Sequence, residues 1–226
     1  MLLLGTATVL TVLEIVRPLR RRQCEPKLRH AGRNLAVAGL AAAAVQLMEQ
    51  PIVMPIATLV ERRRWGLLPN LRLPRWAETA AALIALDYTL YLWHVLVHRR
   101  RGLWRFHAVH HLDMDLDATT ALRFHFGELI ASVPWRVAQV LIIGVRPRDL
   151  ARWQSLTLLS VLFHHSNVRL PEPIERALGW LLVTPRMHGI HHSAEPSQMN
   201  ANWSSGLSLW DRLHGTLRLD VPQARI

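Results

Sequence analysis

The chain has 226 residues, a formal net charge of +11 and 50% hydrophobic residues, with a mean hydropathy of +0.13. That length suits one domain or a compact membrane bundle and leaves no room for an attached redox domain, so any reductant must come from a partner. The single cysteine, Cys24, excludes intramolecular disulfides and cysteine-held iron–sulfur clusters.

Residues 1–16 are apolar, lack a basic leader and a small-residue cleavage pattern, and read as a first membrane segment that stops at Arg17. Residues 34–60 are rich in Ala, Val and Leu but carry Gln46, Glu49, Gln50, Pro51 and Pro55; Pro51 predicts a break or kink, giving a helix followed by a re-entrant piece. Residues 77–97 are the clearest spanning candidate, at about 20 residues. On that helix Asp87, Tyr91, His94 and His98 share one face. Asp87 stands about 10 Å along the axis from His94, too far to bond it. It either orients a histidine of another cluster or makes a structural hydrogen bond between helices. Residues 128–145 and 150–163, joined by GVRPRD, form a hairpin whose second arm returns toward His164 and His165.

The basic runs RPLRRR (17–22), ERRR (61–64) and HRRR (98–101) each follow an apolar stretch. This fits positive-inside anchoring better than nucleic-acid binding. The expected fold is all-α: a membrane helical bundle of about four spanning helices, one of them open to being re-entrant, with a cytoplasmic histidine-rich helical cap. Residues 1–65 hold the N-terminal membrane segments, 66–217 the catalytic region and 218–226 a tail.

Ten of the thirteen histidines fall in four clusters: His94/His98, His107/His110/His111, His164/His165 and His188/His191/His192. Residues three and four apart share a helix face, so HxxxH and HxxHH each aim imidazoles at a common point. Neutral imidazole suits iron, zinc, copper and nickel. One zinc would take three or four such ligands, so ten imply two metals. His30 and His214 have no neighbour at ligand spacing and read as packing or surface residues. His125 is isolated but lies between two clusters, which keeps it a candidate. No G-x-S-x-G elbow or H-E-x-x-H pair occurs.

The motifs DYTLYLWHVLVHR (87–99), LWRFHAVHH (103–111), MDLDATTALRFHFGE (114–128), FHHSNVRLP (163–171), TPRMHGIHH (184–192) and NWSSGLSLWDRLHGT (202–216) follow one another in order. Through them the chain, over about residues 66–217, resembles the fatty acid hydroxylase and sterol desaturase superfamily of integral membrane di-iron oxygenases. It departs from that pattern at Val95, at Phe126, at Asn202-Trp203-Ser204 and in WDRLHGT, none of which removes a ligand. The resemblance implies His94, His98, His107, His110, His111, His165, His188, His191 and His192 as metal ligands, with His125 and His164 as additions. Asp87, Asp117, Glu128 and Asn167 are the expected supports behind them, and Asp113, Asp115 and Asp211 lie near ligands in sequence. No catalytic side chain beyond the ligands is expected.

The chemistry so implied uses two iron ions and O2 to hydroxylate or desaturate a lipid, whether fatty acyl, sterol-like, ceramide-like or carotenoid. The electrons come from an external donor such as a ferredoxin, a cytochrome or a reductase, and no nucleic acid is involved. The expected location is a bacterial inner membrane with the metal site on its cytoplasmic side. Two other classes compete. A membrane zinc-dependent hydrolase predicts about one zinc per chain, and a non-catalytic metal-binding membrane protein predicts no oxygen consumption. Trp93, Trp104, Phe106, Phe124 and Trp203 read chiefly as interfacial anchors and secondarily as walls of a lipid channel.

Overall fold

The computed structural model describes residues 2–21, 24–223 and 226. Among them there is no strand, only the isolated antiparallel bridges Pro18–Val168 and Leu182–Leu207. The long helices are α1 (Leu2–Val16), α2 (Lys27–Ala44), α3 (Gln50–Arg63), α4 (Arg75–Arg99), α5 (Arg101–His111), α6 (Phe126–Ile143) and α7 (Pro147–His165). Short helices follow: α8 (Glu172–Gly179), α9 (Pro185–His191), α10 (Pro196–Met199) and α11 (Leu209–Leu213).

Proline and glycine set several of the ends. Pro26 and Pro74 immediately precede α2 and α4, and Pro147 and Pro185 occupy the first turns of α7 and α9, where a missing N–H costs nothing. Gly144 closes α6 with φ 84°, and Gly66, beyond α3, has φ 95°. The two backbones touch there, so a Cβ on either glycine would overlap the other segment. Leu67 N–H donates to Ile142 O at 2.9 Å, and the far end of α3 is thereby tied to the far end of α6.

At the other end of the same pair, His30 near the start of α2 meets Asp113, just past α5 in the segment that leads into α6. The α2–α3 stretch therefore runs alongside α6, while α4 and α7 return in the opposite direction. Because α4 and α7 both finish in histidines, their ligand candidates arrive at one end of the bundle. Lys27–Asn70, Arg75–Arg99 and Phe126–Ile143 are long and apolar enough to cross a membrane, and the protein is an integral membrane protein. The 15-residue α1 is a shorter apolar helix.

Two expectations change here. The helix does not break at Pro51: it continues through a single π turn, Val45–Glu49, across which Gln50 N–H reaches Val45 O. Pro51, which has no N–H to give, sits in the first turn after it. The wider turn accommodates the proline without a re-entrant bend. The basic runs are also divided. ERRR ends α3 at the pole of Gly144, opposite HRRR at the end of α4, because α3 and α4 run in opposite directions.

The core away from the histidines is aliphatic, built from Val53, Ala57, Val60, Leu86, Val140 and Leu150 with Trp153. Toward the histidine pole α1 joins through Leu10, packed with Ala118, Ala121 and Leu162. Tyr91 packs with Trp203 and Trp210 of the C-terminal segment. These three groups lock α4, α7 and the C-terminal loops into one frame around the histidines.

Candidate metal centre

Nine histidines form two adjoining sets. His94, His98, His107, His111 and His191 make the first and His110, His165, His188 and His192 the second; within each set the offered nitrogens all lie within 4.8 Å of one another. The helical repeat explains the partition. At 100° per residue, positions i and i+4 stand 40° apart, whereas i+3 stands 60° to the other side. In α5 His107 and His111 accordingly face the first set and His110 the second. At α9 the sense is reversed, with His188 and His192 in the second set and His191 in the first. An HxxHH motif thus feeds two points, contrary to the common focus expected from sequence.

Several outer ring nitrogens are held by groups that can only accept. His94 Nδ1 donates to Trp203 O at 2.7 Å, His191 Nδ1 to Ala201 O at 2.9 Å and His107 Nδ1 to the Glu128 carboxylate at 3.0 Å. Each bond fixes the tautomer and leaves Nε2 as an inward lone pair. The Nε2 atoms of His98, His107 and His191 are buried and meet no partner among the described residues. In the second set His165 Nδ1 donates to Val161 O at 2.8 Å, and its Nε2 lies 2.9 Å from His110 Nε2 and 3.0 Å from His188 Nε2. His188 Nε2 lies 3.2 Å from His192 Nε2. Two nitrogens held at right angles about 2.1 Å from one ion would be about 3.0 Å apart. Burial first, and neighbouring histidines second, hold His110, His111, His188, His191 and His192 well below the ordinary imidazole pKa. They are neutral at physiological pH, the form that ligates. Buried, uncharged, partnerless nitrogens in all-imidazole sets fit two transition-metal ions, and not magnesium or calcium, which take oxygen.

Of the expected supports, Glu128 alone touches a member of the sets. Asp87 instead accepts from Leu207 N and Trp210 Nε1, at 3.0 and 2.7 Å. That is the structural alternative, and it acts on the segment that presents Trp203 O to His94. Asp117 faces His30 Nδ1 at 3.3 Å, and Asn167 pairs with the backbone of Arg20. Asp113 collects His30, Asn34 and Thr120; Asp115 caps Cys24 and Glu25; Asp211 binds Trp203 N and Ser204 N. Burial alone would raise the Asp113 carboxyl, but hydrogen bonds from His30 and Thr120 outweigh it and the net shift is downward.

His125 stands outside both sets: its Nδ1 accepts from Gly127 N at the start of α6 while its ring stacks on Phe106. His164 is also outside, with its ring centroid 4.0 Å from that of His188. His30 pairs with carboxylates, and His214 stacks on Tyr91. The sequence offered no means of finding the carbonyls of Trp203, Ala201 and Val161, because any residue carries a carbonyl.

A cavity of about 510 Å³, within the range of ligand pockets, runs from His94, His107, His110, His165 and His188 between α2 and α7 to Glu49 and Arg136. Trp93 and Phe124 line it. A second cavity, about 450 Å³, reaches His111 and His192 from the side of Asp113 and Asp115.

Residues 79–216 match the family described as fatty acid hydroxylase. Ornithine lipid hydroxylase OlsE of Rhizobium tropici is 31% identical over 144 residues, covering 63% of this chain and 42% of that protein. Alkylglycerol monooxygenase of Xenopus tropicalis is 29% identical, over 59% of this chain and 29% of its own length. Cholesterol 25-hydroxylase of Mus musculus is 27% identical, over 74% and 56% respectively. The chain thus spans less than two thirds of each of these relatives. No solved structure matches.

Proposed function

Because the chain belongs to the fatty acid hydroxylase family, we propose that it is a di-iron oxygenase that uses O2 and external electrons to hydroxylate or desaturate a lipid drawn from the bilayer. The single observation that carries the reading is the pair of all-imidazole sets, five and four residues strong, at the end of a cavity walled by membrane helices. The relatives named above each bear a lipid oxidation in their names, which favours a lipid here. The proposed catalytic region is residues 66–217.

His94, His98, His107, His111 and His191 would hold one iron, and His110, His165, His188 and His192 the other. When bound, such a pair supplies activation of dioxygen and cleavage of an unactivated C–H bond. The chain's own work is different. Glu128 and the Trp203 and Ala201 carbonyls keep protons on the outer nitrogens of His107, His94 and His191 and so keep Nε2 free. Trp93, Val97, Leu122 and Phe124 exclude water from the cavity and confine an apolar chain against the histidines. Nine imidazoles in two sets exceed the three or four that one zinc would take, which disfavours a zinc hydrolase.

His111 and His192, one from each set, stack at 4.4 Å with 13° between planes beside the second cavity. A ferredoxin, cytochrome or reductase docked on that face would deliver electrons near both irons. A cytoplasmic donor would favour a histidine pole on the cytoplasmic side, and the relative from Rhizobium tropici favours a bacterial inner membrane.

Elemental analysis of tag-free protein, purified in detergent from iron-supplemented cells, is expected to give about two irons per chain, with an oxidised lipid on adding reductant and O2. One zinc and no iron would overturn the proposal. Cys24 is exposed at the histidine pole. A membrane-impermeant thiol reagent should therefore label it only after the cells are opened, and labelling of intact cells would reverse the orientation.

A further inference from the structure

The cavity that begins at the histidines does not end in hydrocarbon. Its far wall carries Glu49, Gln50 and Arg136, on two helices long and apolar enough to cross a membrane, together with Gln154 of α7. Arg136 follows Glu128 by eight residues on α6, a rise of about 12 Å. Gln154 precedes His164 by ten residues on α7, a rise of about 15 Å. The π turn Val45–Glu49 ends on Glu49, which is 5% exposed. Such turns recur at functional sites, and ionisable side chains at membrane depth are costly enough to mark a function.

The hydrogen bonds at this polar end leave donors over. Arg136 Nη1 donates to Gln139 Oε1 at 2.6 Å, and the guanidinium lies 4.4 Å over the Trp153 ring. Nε stands 3.8 Å from Glu49 Oε1, beyond hydrogen-bond reach, and is buried without a partner among the described residues. Glu49 Oε1 accepts from Gln154 Nε2 at 3.3 Å. A guanidinium has five N–H groups to place, and the bond to Gln139 uses one. Glu49 already balances its charge, so the site is short of acceptor oxygens and not of negative charge. A second anion would leave an uncompensated buried charge, whereas a neutral oxygen would satisfy the spare donors without one.

We infer that Arg136, with Glu49 and Gln154, recognises a neutral oxygen function of the lipid, a hydroxyl or a carbonyl, held about 12 to 15 Å from the carbon presented to the histidines. The inference rests on the oxygenase reading for which end of the lipid is oxidised. It makes the substrate a long-chain alcohol, ester or amide and not a free fatty acid.

The test uses the full, metal-loaded chain in detergent and three probes: dodecanol, dodecanoate and dodecane, each brominated on its last carbon. Quenching of tryptophan fluorescence, with Trp93 and Trp153 in the cavity wall, reports binding. The alcohol is expected to bind at least about tenfold tighter than the hydrocarbon or the carboxylate. Arg136→Met should abolish that preference while hydrocarbon binding persists. Should the single variant misfold with Glu49 unpaired, Arg136→Met with Glu49→Met removes both charges and carries the same expectation. Equal binding of alcohol and hydrocarbon by the wild type, or a preference that survives the double variant, overturns the site; tightest binding of dodecanoate overturns the neutral class. Metal analysis of the same samples separates the two readings. Iron-free protein that still prefers the alcohol sinks the oxygenase reading alone, and iron-loaded protein without the preference sinks the recognition site alone.

Discussion

The two histidine sets differ less in their ligands than in what stands behind them. In the five-histidine set, three outer nitrogens donate to Trp203 O, Ala201 O and Glu128. In the four-histidine set only His165 does so, to Val161 O, while the Nδ1 atoms of His110, His188 and His192 are buried and partnerless among the described residues. Three of the five histidines in the first set are therefore oriented by directional bonds, but only one of the four in the second, where His110, His188 and His192 rest on packing. Outer partners commonly tune metal affinity by about 10- to 100-fold, so the sets should hold their ions unequally.

The largest expected effect comes from the smaller set. His188→Ala leaves it three imidazoles, and one ion per chain should be lost with turnover falling on the order of a thousandfold or more; elemental analysis beside product assay reads both. His191→Ala should also end turnover while leaving the four-histidine ion in place; an active variant would refute His191 as a ligand, and loss of both ions would refute the partition into sets. Next in size, a chelator titration followed by metal analysis should remove the ions in two steps, the four-histidine ion first. A single step would mean that the missing outer partners do not matter. Glu128→Ala should then narrow the gap by weakening the five-histidine set about 10- to 100-fold in metal affinity.

Smaller effects concern the frame. Asp113→Asn removes the charge that His30, Asn34 and Thr120 surround. It should cost about 1–3 kcal/mol in thermal or denaturant unfolding with metal content unchanged. Least of all, His125→Ala should lose the bond to Gly127 N at the start of α6 and the stacking on Phe106, about 1 kcal/mol together, with both ions retained. Loss of an ion there would return His125 to the ligands.

The histidine spacing was legible because helical periodicity is a local property: 94/98, 107/111 and 188/192 are each i, i+4 pairs, and each pair stays within one set. Glu128 was legible through the motif it belongs to. Asp87, Asp117 and Asn167 were not, since an acidic or amide side chain near a ligand in sequence can turn equally well toward a loop, a cap or a backbone. Asp87 turned to Leu207 and Trp210, over a hundred residues away. Pro51 misled because the rule that proline interrupts a helix takes no account of a π turn just before it. The polar end of the cavity escaped notice because Glu49 and Arg136 lie far apart in sequence.

By itself the sequence determined the helices, the apolar stretches, the family and the residues that converge, all of which depend on composition and on separations of a few residues. Tertiary structure alone decided that His110 crosses to the set of His188 and His192 and His191 to that of His107 and His111. The angle at which α5 and α9 meet is set by packing against α4 and α7, and no local repeat encodes it. The same packing chose which carbonyls face the outer nitrogens and set Glu49 beside Arg136, at the end of the cavity away from the histidines.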